Sequence, residues 1–339
     1  MPAIKKPSDH FDIALQTGTG AAADFPMPNG MAPDFGWLKS RSTGSTNHLL
    51  TNRLVNNGNT VSTNSTTAEF SNPALYFNGN NMGMQPYNSD AGQNGQTYVL
   101  WGWKAGGGTA VTNTSGTISS QVSANPTAGF SIVTYTGTGA NATVGHGLGV
   151  TPSMVIVKAR STTGNWCVTM PTLGANNVPF LDLTNAAASF PTVFNGLPTS
   201  TIFNIGTAGS TNTNAATFVA YCFAAVEGYS AFGSYTGNGS ADGPFVFTGF
   251  RPRFVLFKKS SAADDWIIYD TSRDTYNVAS KNLYPNGAFA EDTNTANRAA
   301  DILSNGFKIR SSATYLNLNA ATFIYMAFAE NPFKYSLAR

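Results

Sequence analysis

The segment Tyr135-Thr136-Gly137-Thr138-Gly139 decides the fold, because it returns 100 residues later as Tyr235-Thr236-Gly237-Asn238-Gly239. A third version, Gln16-Thr17-Gly18-Thr19-Gly20, lies 119 residues before the first of these. The glycine-rich half of each segment is typical of a turn that ends a strand. Self-similarity at fixed spacing indicates repeated structural units, so the same two shifts predict where further matches lie.

Two further landmarks coincide at these shifts. The first is a proline with a lysine six positions later: Pro33 and Lys39, Pro152 and Lys158, Pro252 and Lys258. The second is an aromatic-rich segment that closes each unit: Thr97–Trp103, Thr217–Phe223 and Thr322–Phe328. Trp166 and Trp266 also match at the shift of 100. Three landmarks in the same order, three times over, predict a triplicated domain.

The landmarks set the predicted domain boundaries. These are an N-terminal arm at 1–10, repeat one at 11–105, a linker at 106–127, repeat two at 128–227, and repeat three with a C-terminal tail at 228–339. Gly106-Gly107-Gly108 opens the linker, whose Gly, Thr, Ser and Asn content predicts a flexible or extended connection. A phosphate-binding loop is not indicated, because no Gly-Lys-Ser/Thr follows the glycines.

The landmark segments have the pattern of strands. Phe130–Tyr135 alternates and ends in a glycine turn, and the closing segments carry aromatics at alternate positions, as a half-buried strand requires. The strongest helix candidate is Asn294–Ser304, which is short. The predicted fold class is therefore all-β, with three tandem β-sandwich or jelly-roll-like repeats of about 100 residues each.

Charge is scarce in this chain. Charged residues make up 11% of it and the net charge is +2, whereas an ordinary soluble domain has roughly 25% charged residues. A hydrophobic content of 42% argues against disorder, and the near-neutral balance argues against a nucleic-acid partner. No apolar run suits a membrane helix, and Met1–His10 lacks the apolar core of a secretory signal. We therefore expect synthesis in the cytoplasm, without membrane insertion.

The densest group of carboxylates surrounds Trp266: Asp264, Asp265, Asp270 and Asp274. A glycosidase needs two carboxylates across a cleft, roughly 5–9.5 Å apart, but repeat two has Gly164-Asn165 where repeat three has Asp264-Asp265. A solvated turn is therefore favoured over catalysis, with ligand or calcium binding as the remaining alternative. Asp265 and Asp270 stay as candidate ligand-binding residues, and no catalytic residue is assigned.

Trp166 and Trp266 are the aromatic candidates for ligand binding, because each follows a polar turn and could stack on a sugar. Core packing is the alternative for both rings. The three histidines have no metal-ligand spacing, and His146 lies in a glycine turn that predicts solvent exposure. Cys167 and Cys222 are predicted to be buried free thiols, with a bridge as the alternative. No metal and no cofactor are predicted.

The combined pattern resembles an uncharacterised domain repeated in virion proteins of tailed bacteriophages, notably marine ones. The residues that carry the resemblance are Tyr235–Gly239, Gly249-Phe250-Arg251-Pro252 before an apolar strand and Lys258, Ser304–Arg310, and Ala327–Phe333. The resemblance is clearest in repeats two and three. It implies a structural or host-recognition role on the virion surface, and it supplies no catalytic residues.

Three functions follow as hypotheses. The first is a tail fibre, spike or other appendage subunit, a homo-oligomer and often a trimer, which contacts other virion proteins and host surface glycan. The second is a capsid decoration or cement protein, in which three similar units act as a pseudo-trimer over a three-fold site. The third is a polysaccharide hydrolase, which requires a pair of carboxylates facing a cleft. The first two make the chain a non-enzymatic virion component.

Overall fold

Strands dominate the computed structural model, which describes residues 4–55, 59–71 and 74–332. The predicted all-β class is confirmed, and several packed sheets agree with the β-sandwich class. The outer ends of the predicted N-terminal arm and C-terminal tail, residues 1–3 and 333–339, lie outside the described residues.

The strands fall into three groups along the chain. The first group is β1 (Phe11–Thr17), β2 (Ala23–Phe25), β3 (Phe35–Ser40), β4 (Leu49–Asn52), β5 (Asn59–Ser62), β6 (Phe70–Ser71), β7 (Leu75–Asn78), β8 (Asn81–Met84) and β9 (Thr97–Trp103). The second is β10 (Val111–Asn113), β11 (Ser120–Asn125), β12 (Phe130–Thr136), β13 (Ala142–Gly145), β14 (Met154–Ala159), β15 (Cys167–Thr169), β16 (Asn177–Val178), β17 (Ala188–Ser189), β18 (Ile202–Ile205) and β19 (Thr217–Phe223). The third is β20 (Ser230–Thr236), β21 (Phe245–Phe247), β22 (Phe250–Lys259), β23 (Trp266–Asp270), β24 (Lys281–Asn282), β25 (Asp292–Thr293), β26 (Ala300–Leu303), β27 (Gly306–Ile309) and β28 (Thr322–Pro332). Two short helices, α1 (Gly209–Asn212) and α2 (Thr314–Asn317), precede β19 and β28, and 3-10 turns form at Pro7–Asp9 and Pro171–Leu173.

Three main antiparallel sheets organise these strands. The first sheet has the order β1-β9-β3-β4-β5-β6, the second β10-β11-β12-β19-β14-β15, and the third β20-β28-β22-β23. The closing segment of each group is an inner strand, because β9 pairs with β1 and β3, β19 with β12 and β14, and β28 with β20 and β22. The register is the same in all three: Thr97 opposes Thr17, Thr217 opposes Thr136, and Thr322 opposes Thr236.

Each main sheet buries both of its faces. On one face it packs against a small sheet: β2-β8-β7 on the first, β13-β18 on the second and β21-β27-β26 on the third. Alternate residues of the inner strand enter this outer core, for example Leu100 in β9, Phe218 in β19 and Phe323 in β28. The residues between them point the other way, because successive side chains of a strand face opposite sides.

Those opposite faces of the three main sheets meet in one central core. Trp103 of β9, Phe223 of β19 and Phe328 of β28 all belong to it and are almost fully buried. Ring centroids of Phe328 lie 5.7 Å from Trp103 and 6.0 Å from Phe223. Ile4 also belongs to this core, so the described part of the N-terminal arm packs against the body of the protein.

The sequence predicts a flexible or extended linker at 106–127, and this segment takes an extended form that is built into the second sheet. It contains β10 and β11, which extend the second sheet beyond β12. Ile118 makes a parallel bridge to Val144, and its N–H donates to the Thr143 carbonyl at 3.0 Å. The physical reason is apolar burial, since Ile118 and Val122 both enter the outer core of the second sheet.

The short helix candidate at Asn294–Ser304 does not form a helix. Residues 300–303 form β26, which pairs with β27, and the residues before them form a turn. The strand forms here because the side chains of Ala300 and Ile302, two residues apart, both point into the outer core of the third sheet. Over so few residues, a strand's alternation and a single helical turn give similar sequence patterns.

Candidate functional site

Trp166 and Trp266 are both core residues. Their exposed fractions are 0% and 1%. The Trp166 indole N–H donates to the Ser62 carbonyl at 2.7 Å, and the Trp266 indole N–H donates to the Phe180 carbonyl at 2.8 Å. Neither ring has a face open to a sugar, so the structure supports the core-packing alternative. Each indole instead joins a main sheet to the chain segment before it.

Asp265 and Asp270 are separated by the length of β23. Asp265 lies just before its first residue, Trp266, and accepts a hydrogen bond from the Asn286 side chain at 2.8 Å. Asp270 lies at its end, where it is buried. Five residues of extended strand span roughly 16 Å, which exceeds the spacing of a glycosidase pair. The two candidate residues therefore do not form one binding site.

Asp270 belongs to a buried ionic network. Its carboxylate accepts hydrogen bonds from the Arg273 guanidinium at 2.6 Å and from the Trp101 indole at 3.0 Å. Arg273 also pairs with Glu291, which forms a two-bond ion pair with Arg41, both bonds being 2.8 Å. Burial alone would raise the pKa of Glu291, but the hydrogen bonds and charges of Arg41 and Arg273 lower it. The network joins the third sheet to the first.

Matching contacts join the sheets in a ring. The Glu69 N–H donates to the Arg160 carbonyl at 2.7 Å, the Ala187 N–H to the Ser260 carbonyl at 2.9 Å, and the Glu291 N–H to the Arg41 carbonyl at 2.8 Å. These bonds connect first to second, second to third, and third to first. The Arg160–Glu69 ion pair, at 2.6 Å, strengthens the first contact as Arg41–Glu291 strengthens the last. The ring is closed by hydrogen bonds on all three sides.

The three lysines found by the repeat pattern are all buried, at 0%, 0% and 1% exposure for Lys39, Lys158 and Lys258. The Lys158 ammonium donates to the Thr66 carbonyl at 2.9 Å, and Lys258 donates to the Thr184 carbonyl at 2.8 Å, so both reach the preceding group of strands. Burial lowers the pKa of each lysine from 10.5 to about 8. The recurrence of a charged residue inside an apolar strand was the sequence signal for this role.

The free energy of unfolding is expected to rise between pH 8 and pH 9, because the folded lysines release a proton near pH 8 that the unfolded chain holds until about 10.5. Above pH 9 the thiols of Cys167 and Cys222 oppose this rise in stability. Burial raises their pKa, so they ionise in the unfolded chain at a lower pH than in the folded protein.

Urea denaturation between pH 8 and pH 9 measures the slope of the free energy of unfolding against pH. Lys258→Met should flatten it by about a third, whereas the exposed Lys5→Met should not; an unchanged slope in Lys258→Met contradicts the explanation.

His146 is buried, and the prediction that it is solvent-exposed is wrong. Its ring contacts the Thr199 carbonyl through Nε2 at 3.1 Å, and its Nδ1 accepts from the Leu148 N–H at 3.2 Å. The turn folds back onto the Thr199–Ile202 segment, so the glycines on either side of the histidine do not expose it. Cys167 and Cys222 are both buried free thiols.

A polar cleft of about 190 Å³ lies beside the first sheet. Its lining comes from residue 47 in the β3–β4 turn, residues 62–70 around the β5–β6 turn, and residues 87–90 after β8. Phe70 and Tyr87 form an aromatic wall, with their ring centroids 6.1 Å apart and their planes 22° from parallel. Asp90 is buried, and its carboxylate accepts from the Asn47 N–H at 2.6 Å and the Asn47 amide at 3.0 Å.

No sequence motif predicted this cleft, because its residues come from three separate segments. What it offers chemically is aromatic, carboxylate, amide and hydroxyl groups on one surface. Across the described ranges, no group of three or more His, Cys, Asp and Glu residues gathers as a metal site. In the same residues, no helix has the length and apolar character needed to cross a bilayer.

Fold and contacts together define an all-β protein whose three main sheets share one core. The chain belongs to a family described as a domain of unknown function, DUF7483, whose model matches residues 6–332. That single match spans all three groups of strands, so the family unit includes the whole ring of contacts. No curated protein and no solved structure matches the chain.

Proposed function

We propose that the chain is a non-enzymatic structural protein of a bacteriophage virion, most simply a tail fibre, spike or other surface appendage subunit. In this proposal the three groups of strands are three copies of one β-sandwich unit around an approximate three-fold axis. The observation that carries it is the closed ring of inter-sheet contacts, together with the shared register of β9, β19 and β28. Closed three-fold assembly is typical of virion components that stand on a symmetry axis.

The interior supports a role in a durable particle. Two of the buried lysines, Lys158 and Lys258, donate to backbone carbonyls of the preceding unit and so join one unit to the next. A core shared by three sheets makes each unit depend on the other two. Such a protein gains stability from one large core without needing disulfides.

One strand edge offers a surface for virion neighbours. Phe245 and Phe247 of β21 are 45% and 62% exposed. Because the Ile309 N–H donates to the Pro244 carbonyl and the Thr248 N–H to Asn305, the backbone groups of both phenylalanines point away from β27. In the small sheet of the second group, the corresponding edge of β13 is covered by Ile118, which bridges to Val144. The open apolar edge of β21 fits contact with another copy or another virion protein.

Replacing Phe245 and Phe247 by Thr is expected to weaken self-association at least tenfold, because the double variant keeps strand propensity but removes the apolar contact. Light scattering across a concentration series measures the mass of the assembly. Tyr276→Ala, which removes an aromatic ring that is 86% exposed elsewhere on the third group, is the matched control. Equal masses for wild type and the double variant contradict this contact.

A capsid decoration or cement protein is the second candidate. The closed ring favours it, because a compact pseudo-trimer has the shape to sit over a three-fold site of a shell. Polysaccharide hydrolysis is disfavoured by the separation of Asp265 from Asp270 along β23. In both virion proposals the protein is made in the host cytoplasm and ends on the particle surface, in contact with other virion proteins.

Location in the particle tests the proposal. Gradient-purified virions of a phage that encodes the chain should contain it by mass spectrometry. A reconstruction should place a three-lobed density on the tail or on the capsid surface, which also separates the two candidates. Absence of the chain from purified particles, or a position inside the capsid, contradicts both.

A further inference from the structure

We propose that the cleft beside the first sheet binds a single ring of a neutral sugar. This inference deepens the proposed function, since host surface glycan is the ligand expected of a virion appendage. The sugar would contact Phe70, Tyr87 and Asp90, which line the cleft, and not the buried residues Trp166 and Trp266.

The aromatic wall provides the first half of the recognition. Phe70 and Tyr87 are both half-buried, and their rings stack on each other at the side of the cleft. The C–H face of a pyranose is apolar and packs on the exposed part of such an aromatic pair. Because the rings hold each other in place, little side-chain entropy is lost when a ligand binds.

Asp90 provides the second half. One carboxylate oxygen accepts from the Asn47 N–H and the other from the Asn47 side-chain amide. Each ionised oxygen can accept two hydrogen bonds, so each can still accept one. Two neighbouring hydroxyls of a sugar are spaced to donate to the two oxygens of one carboxylate. The bonds to Asn47 hold the carboxylate rigid, which orients the sugar relative to the aromatic wall.

The charge of the cleft selects neutral ligands. Among the described residues that line it, Asp90 alone is charged; the other polar groups are hydroxyls and amides, such as those of Ser65, Thr67 and Asn88. Lys39 is close enough for its charge to interact with that of Asp90, but its ammonium is buried and donates to the Thr46 carbonyl rather than facing a ligand. An anionic sugar would place its carboxylate near that of Asp90 without a cation between them.

The volume limits the ligand to one ring. Sites for drug-sized molecules enclose about 300–1,000 Å³, whereas this cleft encloses about 190 Å³. The cleft therefore holds one residue of a glycan, with the rest of the glycan extending into solvent. Such a site has modest affinity for a free monosaccharide.

Saturation-transfer NMR on the full chain tests the inference. The probes are the methyl glycosides of glucose, galactose, mannose and N-acetylglucosamine, with methyl glucuronide as the anionic comparison. We expect transfer to at least one neutral glycoside and none to the glucuronide. Tyr87→Ala should weaken that binding at least tenfold. Thr67→Trp, at an exposed position on the rim, should block it in the same way without disturbing the core. Tyr276→Ala should bind like the wild type.

Two results overturn the inference: no transfer to any neutral glycoside, or binding that survives both Tyr87→Ala and Thr67→Trp. The virion experiment is independent of these. A surface-located chain that binds no sugar removes this site and leaves the structural role, whereas sugar binding by a chain absent from particles removes the structural role and leaves the site.

Discussion

Phe328→Ala is expected to lower the free energy of unfolding by about 3–5 kcal/mol, the usual cost of a large aromatic deleted from a packed core. Phe328 contacts all three sheets: its ring centroid lies 4.9 Å from Phe11 of the first, 6.0 Å from Phe223 of the second and 6.3 Å from Phe254 of the third. A cavity at this point is lined by all three sheets, so none of them can close it alone.

Guanidinium denaturation followed by tryptophan fluorescence and by circular dichroism measures the effect. Because the core is shared, we expect both probes to shift together to a lower midpoint. Phe247→Ala removes a ring that is 62% exposed, and we expect it to change stability by no more than about 0.5 kcal/mol. If the two probes instead report separate unfolding transitions, and Phe328→Ala lowers the midpoint of only one of them, the three sheets do not unfold as one unit.

Asp270→Ala is expected to cost about 3–5 kcal/mol as well, through charge rather than through packing. Asp270 and Arg273 are both fully buried as an ion pair. Removing the carboxylate leaves the Arg273 guanidinium with less compensation in a site without solvent, and it leaves the Trp101 indole N–H without its acceptor. Asp270→Ala therefore weakens the contact between the third sheet and the first.

The same denaturation experiment measures this loss, with Asp301→Ala as the matched control. The Asp301–Arg310 pair is on the surface, with the arginine 43% exposed, and such pairs contribute about 0–1 kcal/mol. The double variant Asp270→Ala/Arg273→Met should recover part of the loss, because it removes the uncompensated charge. If Asp270→Ala and Asp301→Ala lower the free energy of unfolding by the same amount, Asp270 does not stabilise the contact between the third and first sheets.

Much of the sheet structure could be predicted from the sequence, because strands that alternate around aromatics carry their own signal. The segments Thr97–Trp103 and Thr217–Phe223 are β9 and β19 with the same bounds as predicted. Composition was less informative where few side chains decide the structure. The glycine and threonine content of 106–127 predicts a flexible or extended connection, and two apolar residues, Ile118 and Val122, hold this segment against the outer core of the second sheet.

The candidate site was less predictable, for a physical reason. Whether Trp266 stacks on a ligand or fills a core depends on what packs against it, and its partner, the Phe180 carbonyl, lies 86 residues away. Tyr87 and Phe70 become a wall only when two turns fold together. Lys158 is the exception, since its recurrence in register at Lys39 and Lys258 is visible in the sequence before its burial is known.

The cleft is built entirely from residues 47–90, and this sets its valency. A homotrimer would display three identical sites, but a single chain that forms a three-part ring can vary each part, and it carries this cleft in one part of the ring. If one sugar ring binds weakly, firm attachment requires many copies of the chain on one particle, since avidity multiplies modest affinities when several sites bind at once. If the proposed virion role and sugar site both hold, the copy number on the particle, rather than the affinity of one cleft, determines how strongly the particle binds a glycan-coated surface.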